Sequence, residues 1–468
     1  MNQSTNIQNL LAATSKKNAS HNTAKQTQNT SLHHLTPLSM FFNEKKLHLP
    51  KKEKIPRKKT AMKIPKKSLR ILLKAIAATL IVALMTITAT SVSPIYDFAE
   101  PTPFCGKETF NPYRNLDTAH CWKKANFHVH TRVEGIFNEC EYWPGEVHER
   151  LTKLGYDIVT FSNHNELTSH PFDSTLQVNV YEHGYNIFKF HKLVFGSNRV
   201  SRFDHLLPLL ASQRQFQFDM LKKESDIVQY NHPLRTAGTT PRMMKKLDGY
   251  DIIELDCGRS TENEYWDWAL SAGHYSFGLA NDDLHHPDIT SRIARRCNFL
   301  CTPSAAYNDI RQCLLDGCYY SMRIPDYGNG NWETKTQKNH NLPYISDIGL
   351  RDSTIYIALS ENADSIKVFG QNHTTLTTKY NTATAEYTIL PHDHYARFTA
   401  YMPGGEVIYS NPFARYDASV ADTPAKAPSH KINILLTTAF NATLAAILAA
   451  LAILLYRIVK KTDKQRQQ

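Results

Sequence analysis

Outside its two ends this chain has no excess of positive charge, which removes the first function that a net charge of +11 brings to mind. Of its 54 Lys and Arg residues, 15 lie between Met1 and Arg70 and 5 between Arg457 and Gln468. The stretch between holds 34 basic against 40 acidic residues. A nucleic-acid-binding body carries its positive charge on the folded part, so no nucleic-acid partner is expected. Long apolar runs are also missing between about residue 91 and residue 431, which excludes further membrane-spanning helices there. Cysteine is scarce, with eight residues, all between Cys105 and Cys318. Cys297 with Cys301, and Cys313 with Cys318, lack the matching partner pair of a zinc ribbon. An even number confined to one segment suits disulfides in an oxidising compartment, with buried thiols as the alternative. Cys105 and Cys121 flank a short loop ahead of the first predicted strand and are expected to pair. Internal repeats are absent.

Residues 1–68 are rich in Asn, Gln, Ser, Thr and Lys and poor in aromatics. Such a segment buries too little apolar surface to offset its ordering entropy and reads as a disordered basic tail. Its run from Lys45 to Lys67 has the composition of a nucleic-acid patch, but an apolar stretch, Ile71 to Thr90, follows at once. About twenty such residues cross a bilayer, so 69–92 is predicted to be a transmembrane helix. A second span is predicted over 432–456, weakened in its first half by Asn433 and Asn441. It is followed by the basic tail 457–468. Both spans carry their main Lys/Arg flank on the side away from the centre. The positive-inside rule then places both tails in the cytoplasm and residues 95–430 outside. A cleaved signal peptide is disfavoured by the length of the segment ahead of the first span.

Within 95–342, β-rich runs alternate with helical stretches: Asn126–His128, Asp157–Phe161, Val178–Tyr181, Ile187–Phe190, Asp226–Tyr230, Asp251–Leu255 and Tyr275–Leu279. That alternation predicts a parallel α/β sheet or barrel. Over 343–418 the strands follow one another without helices and read as a small β-sandwich.

The predicted strands end in chemistry. His128-Val129-His130 closes the first, Asn163-His164 the second, Glu182 the third, His191 the fourth and Asn231-His232-Pro233 the fifth. The seventh leads into Asp283-Leu284-His285. Strand carboxyl ends converge on one face of a β/α barrel, and residues two apart on a strand point the same way. Six imidazoles and two carboxylates have no packing reason to gather there. They have one if divalent cations such as Zn, Mn or Fe are bound.

This ordered set resembles the PHP (polymerase and histidinol phosphatase) superfamily of metal-dependent phosphoesterases, over roughly residues 122–330. The resemblance implies a distorted seven-stranded β/α barrel, here followed by the β-sandwich and flanked by two transmembrane helices, holding two or three metal ions. It implies one ion on His128, His130, Glu182 and Asp283, and a second bridged by Glu182 and completed by His191 and His232. A third would fall to His164 and His285 with Glu134. Two positions depart from the family pattern: Asn163 stands where Asp is usual before the second-motif His, and Glu134 where Asp is common. The amidohydrolases also begin with His-x-His, but usually have a bridging Lys at the fourth strand and lack the third-strand Glu. Here the fourth strand offers His191, with Lys189 and Lys192 beside it.

Two or more close cations acidify a bridging water and neutralise phosphate oxygens, so phosphate esters are the natural substrates. Glu182 and Asp283 carry the catalytic expectation. Arg132, Arg235 and Arg259 lie just past strand ends, where a guanidinium forks onto phosphate. The expected partners are a phosphorylated small-molecule or exported substrate and the membrane. The competing reading is a metal-binding sensor or scaffold without turnover, for which Asn163 is the support in the sequence.

Overall fold

A computed structural model describes residues 65–466, apart from 118–121, 136–137, 259, 262 and 427–429. The tail ahead of residue 65, Cys121 and Arg259 therefore lie outside the described residues. The chain begins with α1 (Lys66–Ala89) and two short strands, β1 (Tyr96–Asp97) and β2 (Glu108–Phe110). The α/β part follows as β3 (Lys123–Asn126), α2 (Pro144–Lys153), β4 (Ile158–Val159), β5 (Val180–His183), β6 (Lys192–Phe195) and α3 (Ala211–Lys222). It continues as β7 (Ile227–Tyr230), α4 (Pro241–Met244), β8 (Ile252–Cys257), β9 (Ser260–Thr261), α5 (Asn263–Ser271) and β10 (Phe277–Asn281). Strands β5 to β8 and β10 are buried at every residue, which is why they read as near-continuous apolar runs. Helix α2 starts where Pro144 supplies a preset φ and the Glu146 carboxylate accepts the Trp143 N–H at 2.9 Å.

One sheet runs β5-β6-β7-β8-β10, with β9 on β8. The pairs β7–β8 and β8–β10 are parallel, as the alternation predicts. Strand β6 is not, since it runs antiparallel to both β5 and β7. The fourth strand was expected at Ile187–Phe190, ending at His191; it instead begins one residue after His191. An antiparallel strand starts at the edge where its parallel neighbours end, so His191 reaches the same face by the opposite route. Two isolated parallel bridges, Val129↔Leu284 and His164↔Glu182, tie the chain beyond β3 to the chain beyond β10, and the chain beyond β4 to β5.

The remaining elements are β11 (Arg296–Leu300), α6 (Tyr307–Asp316), β12 (Tyr319–Arg323), α7 (Trp332–His340), β13 (Ile345–Arg351), β14 (Thr354–Gly370), β15 (Thr374–Thr388), β16 (Tyr395–Tyr401), β17 (Val407–Ser410) and β18 (Phe413–Tyr416). The self-contained sandwich expected over 343–418 is not what they build. Strand β17 pairs with β12 and β18 with β2, so the sheet continues without a break as β13-β14-β16-β17-β12-β11-β3-β4. One buried cluster accordingly joins Val129 and Phe161 to Ile357, Val368 and Phe398. The C-terminal strands are further fastened through α5, where fully buried Asp267 accepts from Arg397 Nε at 2.9 Å and from the Tyr395 hydroxyl at 2.9 Å.

A last strand, β19 (Lys431–Ile432), leads into α8 (Ile434–Arg466). Helix α1 and the Ile434–Lys460 part of α8 are 24 and 27 residues long; each contains an 18-residue stretch of mean hydropathy 2.2 and 2.3 respectively, almost none of it buried. Both are long and apolar enough to cross a membrane. They pack together, and β1 pairs with β19 just past α1 and just before α8. The two asparagines that weakened the second span lock this junction. Asn441 Nδ2 donates to the Ser93 carbonyl at 3.1 Å, and Asn433 Nδ2 donates to the Asp97 carboxylate at 3.0 Å.

Behind the junction, His430 sits between Asp248 (2.8 Å) and Asp219 (3.0 Å), and Asp219 also accepts the Tyr96 hydroxyl at 2.8 Å. Burial alone would lower the His430 imidazole, but the two carboxylates outweigh it and push it up to about 9. The folded state therefore favours the protonated ring. This clasp contributes fully below the ordinary histidine value of about 6.5 and is lost as pH rises through about 9. Amide exchange at residues 93–98 is expected to accelerate over that interval in the wild type and to lose this pH step in His430→Gln. An unchanged step in the variant would assign it to another group.

Of the cysteines, Cys140, Cys257, Cys297, Cys313 and Cys318 are buried, and no disulfide joins two described cysteines. The expected disulfide framework is thus not seen among the described residues, and the expected Cys105–Cys121 pairing lies outside them because Cys121 is not described. Cys313 Sγ lies against the Cys318 carbonyl at 3.2 Å and Cys140 Sγ against that of Tyr142 at 3.9 Å.

Candidate metal centre

His128 and His130 follow β3 two residues apart, so both rings fall on one side of the extended chain, where they are buried. His128 Nε2 is 3.1 Å from Glu182 Oε2 and 3.1 Å from Asp283 Oδ1; His130 Nε2 is 3.2 and 3.3 Å from the same two atoms. Four donors held at about 2.1 Å around a tetrahedral cation stand about 3.4 Å apart. Two imidazoles and two carboxylates at this spacing have the geometry of a ligand set.

Glu182 divides its oxygens. Oε2 faces His128, His130 and also His164 Nε2 at 3.1 Å. Oε1 faces His191 Nδ1 at 3.1 Å and His232 Nε2 at 3.4 Å, and accepts from Asn231 Nδ2 at 2.9 Å. A second group, His164, Glu182 and His191, thus shares this carboxylate with the first. A third lies at the rim, where Glu139 Oε2 is 3.2 Å from His164, 3.6 Å from His285 and 3.7 Å from His130.

These residues fit divalent cations. Nε2 of His128, His130 and His232 is buried without a hydrogen-bond partner, which folded proteins rarely leave so. Burial would raise the Glu182 carboxyl, yet the imidazoles of His128, His164 and His191 hold it well below the usual range. His164 is pushed down to about 4 by burial and by the rings of His130 and His191, so its ring is neutral and able to ligate. Burial opposes protonation of His130, but Asp283 and Glu182 raise it to about 9. Two carboxylates in this space require positive charge, and a cation supplies it without protonating the rings.

An outer layer holds the rings. Glu254 on β8 is fully buried; its Oε1 lies 2.9 Å from His128 Nδ1 and its Oε2 accepts the His232 N–H at 3.0 Å. Such a carboxylate fixes which ring nitrogen faces the centre. His232 and Asp283 both have left-handed backbone, at φ 29° and 50°. Each such residue costs roughly 1–3 kcal/mol and persists where its surroundings over-determine it, commonly at functional sites.

The structure gathers His128, His130, His164, Glu182, His191, His232, Asp283 and His285. It does not gather Glu134, which is exposed; Glu139 takes the place expected for it. Both lie in one irregular loop, where no periodicity says which carboxylate turns inward. Glu254 was also missed, although an acidic residue inside the apolar run Ile252-Ile253-Glu254-Leu255 is itself a signal. Asn163 turns inward to pin the backbone: its Oδ1 accepts the Thr131 N–H at 2.8 Å, and its Nδ2 donates to the Thr131 and Thr168 hydroxyls at 2.7 Å. The Asn163 side chain is thus engaged by the backbone and hydroxyl of Thr131 and the hydroxyl of Thr168. Arg235 is engaged by Asp283 Oδ2 at 2.5 Å, and Arg132 rests over the Trp143 ring. Lys192, the fourth-strand lysine that an amidohydrolase reading would need, is buried against the Phe190 carbonyl at 2.8 Å and Gln217.

No protein-family profile matches the chain, and no curated protein is similar to it. A solved structure from Bacteroides vulgatus, of a two-domain protein containing a predicted PHP-like metal-dependent phosphoesterase, aligns over 68% of this chain and 100% of its own. The identity is 15% and the TM-score 0.33. A likeness that loose carries no weight on chemistry, which the side chains must supply.

Proposed function

We propose that this protein is a membrane-anchored, metal-dependent phosphoesterase with two ions sharing Glu182 and a third position at Glu139, His164 and His285. The observation that carries this is the division of the Glu182 oxygens between two sets of buried imidazoles. Imidazole with carboxylate suits Zn, Mn or Fe. When bound, such ions neutralise phosphate oxygens and make water acidic enough to attack near neutral pH. The chain's own part is to hold the rings: Glu254 orients His128, and Arg235 braces Asp283 from the side away from His128 and His130. We read β3 to β8 with β10 as a distorted seven-stranded barrel, supported by the two isolated bridges at its seams. Metal analysis of the purified full-length protein, with phosphate release from p-nitrophenyl phosphate before and after chelation, tests the reading. Stoichiometric metal without release would leave the sensor or scaffold alternative.

The anchoring proposal is that α1 and α8 cross the membrane with both tails cytoplasmic and the metal centre outside. Its support is the β1–β19 junction, which gathers one end of each helix and leaves Lys66, Lys67 and Arg70 together with Arg457 and Lys460 at the other. A tag inserted at exposed Ser419 is expected to be labelled on intact cells, and one after Gln468 only after lysis. The reverse pattern would defeat the exported reading.

A further inference from the structure

Beside the metal centre is a cavity of about 630 Å³ whose lining includes Asp283 and His285 together with Lys189, Arg235, Arg292, Arg295 and Arg296. Its cations are not equivalent. Arg235 is paired with Asp283, and Arg296 with Asp256 at 2.8 Å. Arg295 gives Nε and Nη1 to the carbonyls of Ile324 and Ser291, at 2.9 and 3.0 Å, which leaves its charge without an ion-pair partner. Lys189 and Arg292 are exposed, and among the described residues neither has a carboxylate within salt-bridge distance.

The position of these side chains is built. Buried Asp282 accepts from the backbone N–H groups of Ala294, Arg295 and Arg296 at 2.8 to 2.9 Å, although burial pushes its carboxyl up. The arginine segment is thereby fastened to the residue next to Asp283. Lys189 stands in left-handed backbone at φ 56°, its carbonyl held by the Thr236 hydroxyl at 2.9 Å. Such strain is kept where the surroundings impose it.

We infer that this cavity is a second anion subsite, so the substrate is a phosphate ester bearing a further phosphate or carboxylate, bound by Lys189, Arg292 and Arg295. This rests on the phosphoesterase reading for the scissile end. Three cations without ion-pair partners in one concave site attract a ligand anion and raise its capture, an effect that weakens with salt. Planar guanidinium groups fit phosphate and carboxylate oxygens. The volume admits a small ligand. The second anion is carried either by a soluble ester or by a lipid headgroup.

The test compares matched pairs on the metal-loaded, full-length protein: fructose 1,6-bisphosphate with fructose 6-phosphate, and 3-phosphoglycerate with glycerol 3-phosphate. Phosphatidylcholine vesicles containing phosphatidylinositol 4,5-bisphosphate or phosphatidylinositol form the lipid arm. Phosphate release and equilibrium binding are both read. A doubly anionic member of at least one pair is expected to bind about tenfold or more tightly than its partner. In Lys189→Ala/Arg292→Ala that preference is expected to vanish, with turnover of the singly anionic partners within about twofold of wild type. Arg292→Lys is expected to restore part of it. Preference confined to vesicles assigns the second anion to a headgroup; preference for the soluble esters assigns it to a metabolite. Preferential binding without release keeps the subsite and defeats the esterase reading. Release without preference in any pair, or equal losses for both members of a pair in the variant, overturns the subsite.

Discussion

Glu182→Gln is expected to release at least one equivalent of metal and to lower phosphate release by more than about 100-fold, the scale on which even residues behind the ligands act. The substitution keeps shape and volume, so the buried surroundings of Glu182 are retained. It replaces one of two anionic oxygens by an amide that ligates poorly, and each oxygen faces a different set of imidazoles. Glu139→Gln is the control. Its carboxylate is 39% exposed and touches only the rim group, so it is expected to lose no more than one equivalent and to keep most turnover. His164→Ala, which on sequence alone served only the third position, is expected to fall between them. Its Nε2 lies 3.1 Å from Glu182 Oε2 as well as 3.2 Å from Glu139 Oε2. Metal stoichiometry and turnover on p-nitrophenyl phosphate, after unfolding temperatures have been matched, decide the order. Full metal and near-normal turnover in Glu182→Gln would mean that the centre is assigned to the wrong residues.

Arg397→Met is expected to destabilise the protein by about 3–5 kcal/mol without changing its metal content in the folded state. Asp267 and Arg397 are both fully buried, and the pair joins α5 to β16. Removing the guanidinium strands a carboxylate that otherwise accepts from Arg397, Tyr395 and His373. The charge left behind, not the lost contact, dominates the penalty. Hence the double replacement Asp267→Leu/Arg397→Met is expected to be more stable than Arg397→Met alone. Thermal unfolding followed by circular dichroism gives the comparison. A double variant no better than the single would mean that packing around the guanidinium, rather than its charge, holds the C-terminal strands to α5.

By itself the sequence determined which residues have the chemistry to gather. His128-x-His130, His164, His232 and Asp283-x-His285 each stand two to five residues past a largely buried strand, and strand ends are set by local pattern. The two apolar helices were legible for the same reason, since length and composition alone decide whether a helix suits a bilayer. Tertiary structure decided what depends on non-local pairing. The antiparallel direction of β6 comes from its hydrogen bonds to β5 and β7, and it moves His191 from the end of a strand to its beginning. The C-terminal strands read as a separate sandwich because alternation shows that a strand exists but not which edge it joins; the pairing of β17 with β12 settled that. Between Glu134 and Glu139 only the path of the loop could choose. Adjacent Asp282 and Asp283 look alike in sequence, yet one fastens the arginine segment through backbone N–H groups and the other faces the histidines. In each case the deciding contacts join residues far apart in the chain, where periodicity carries no information.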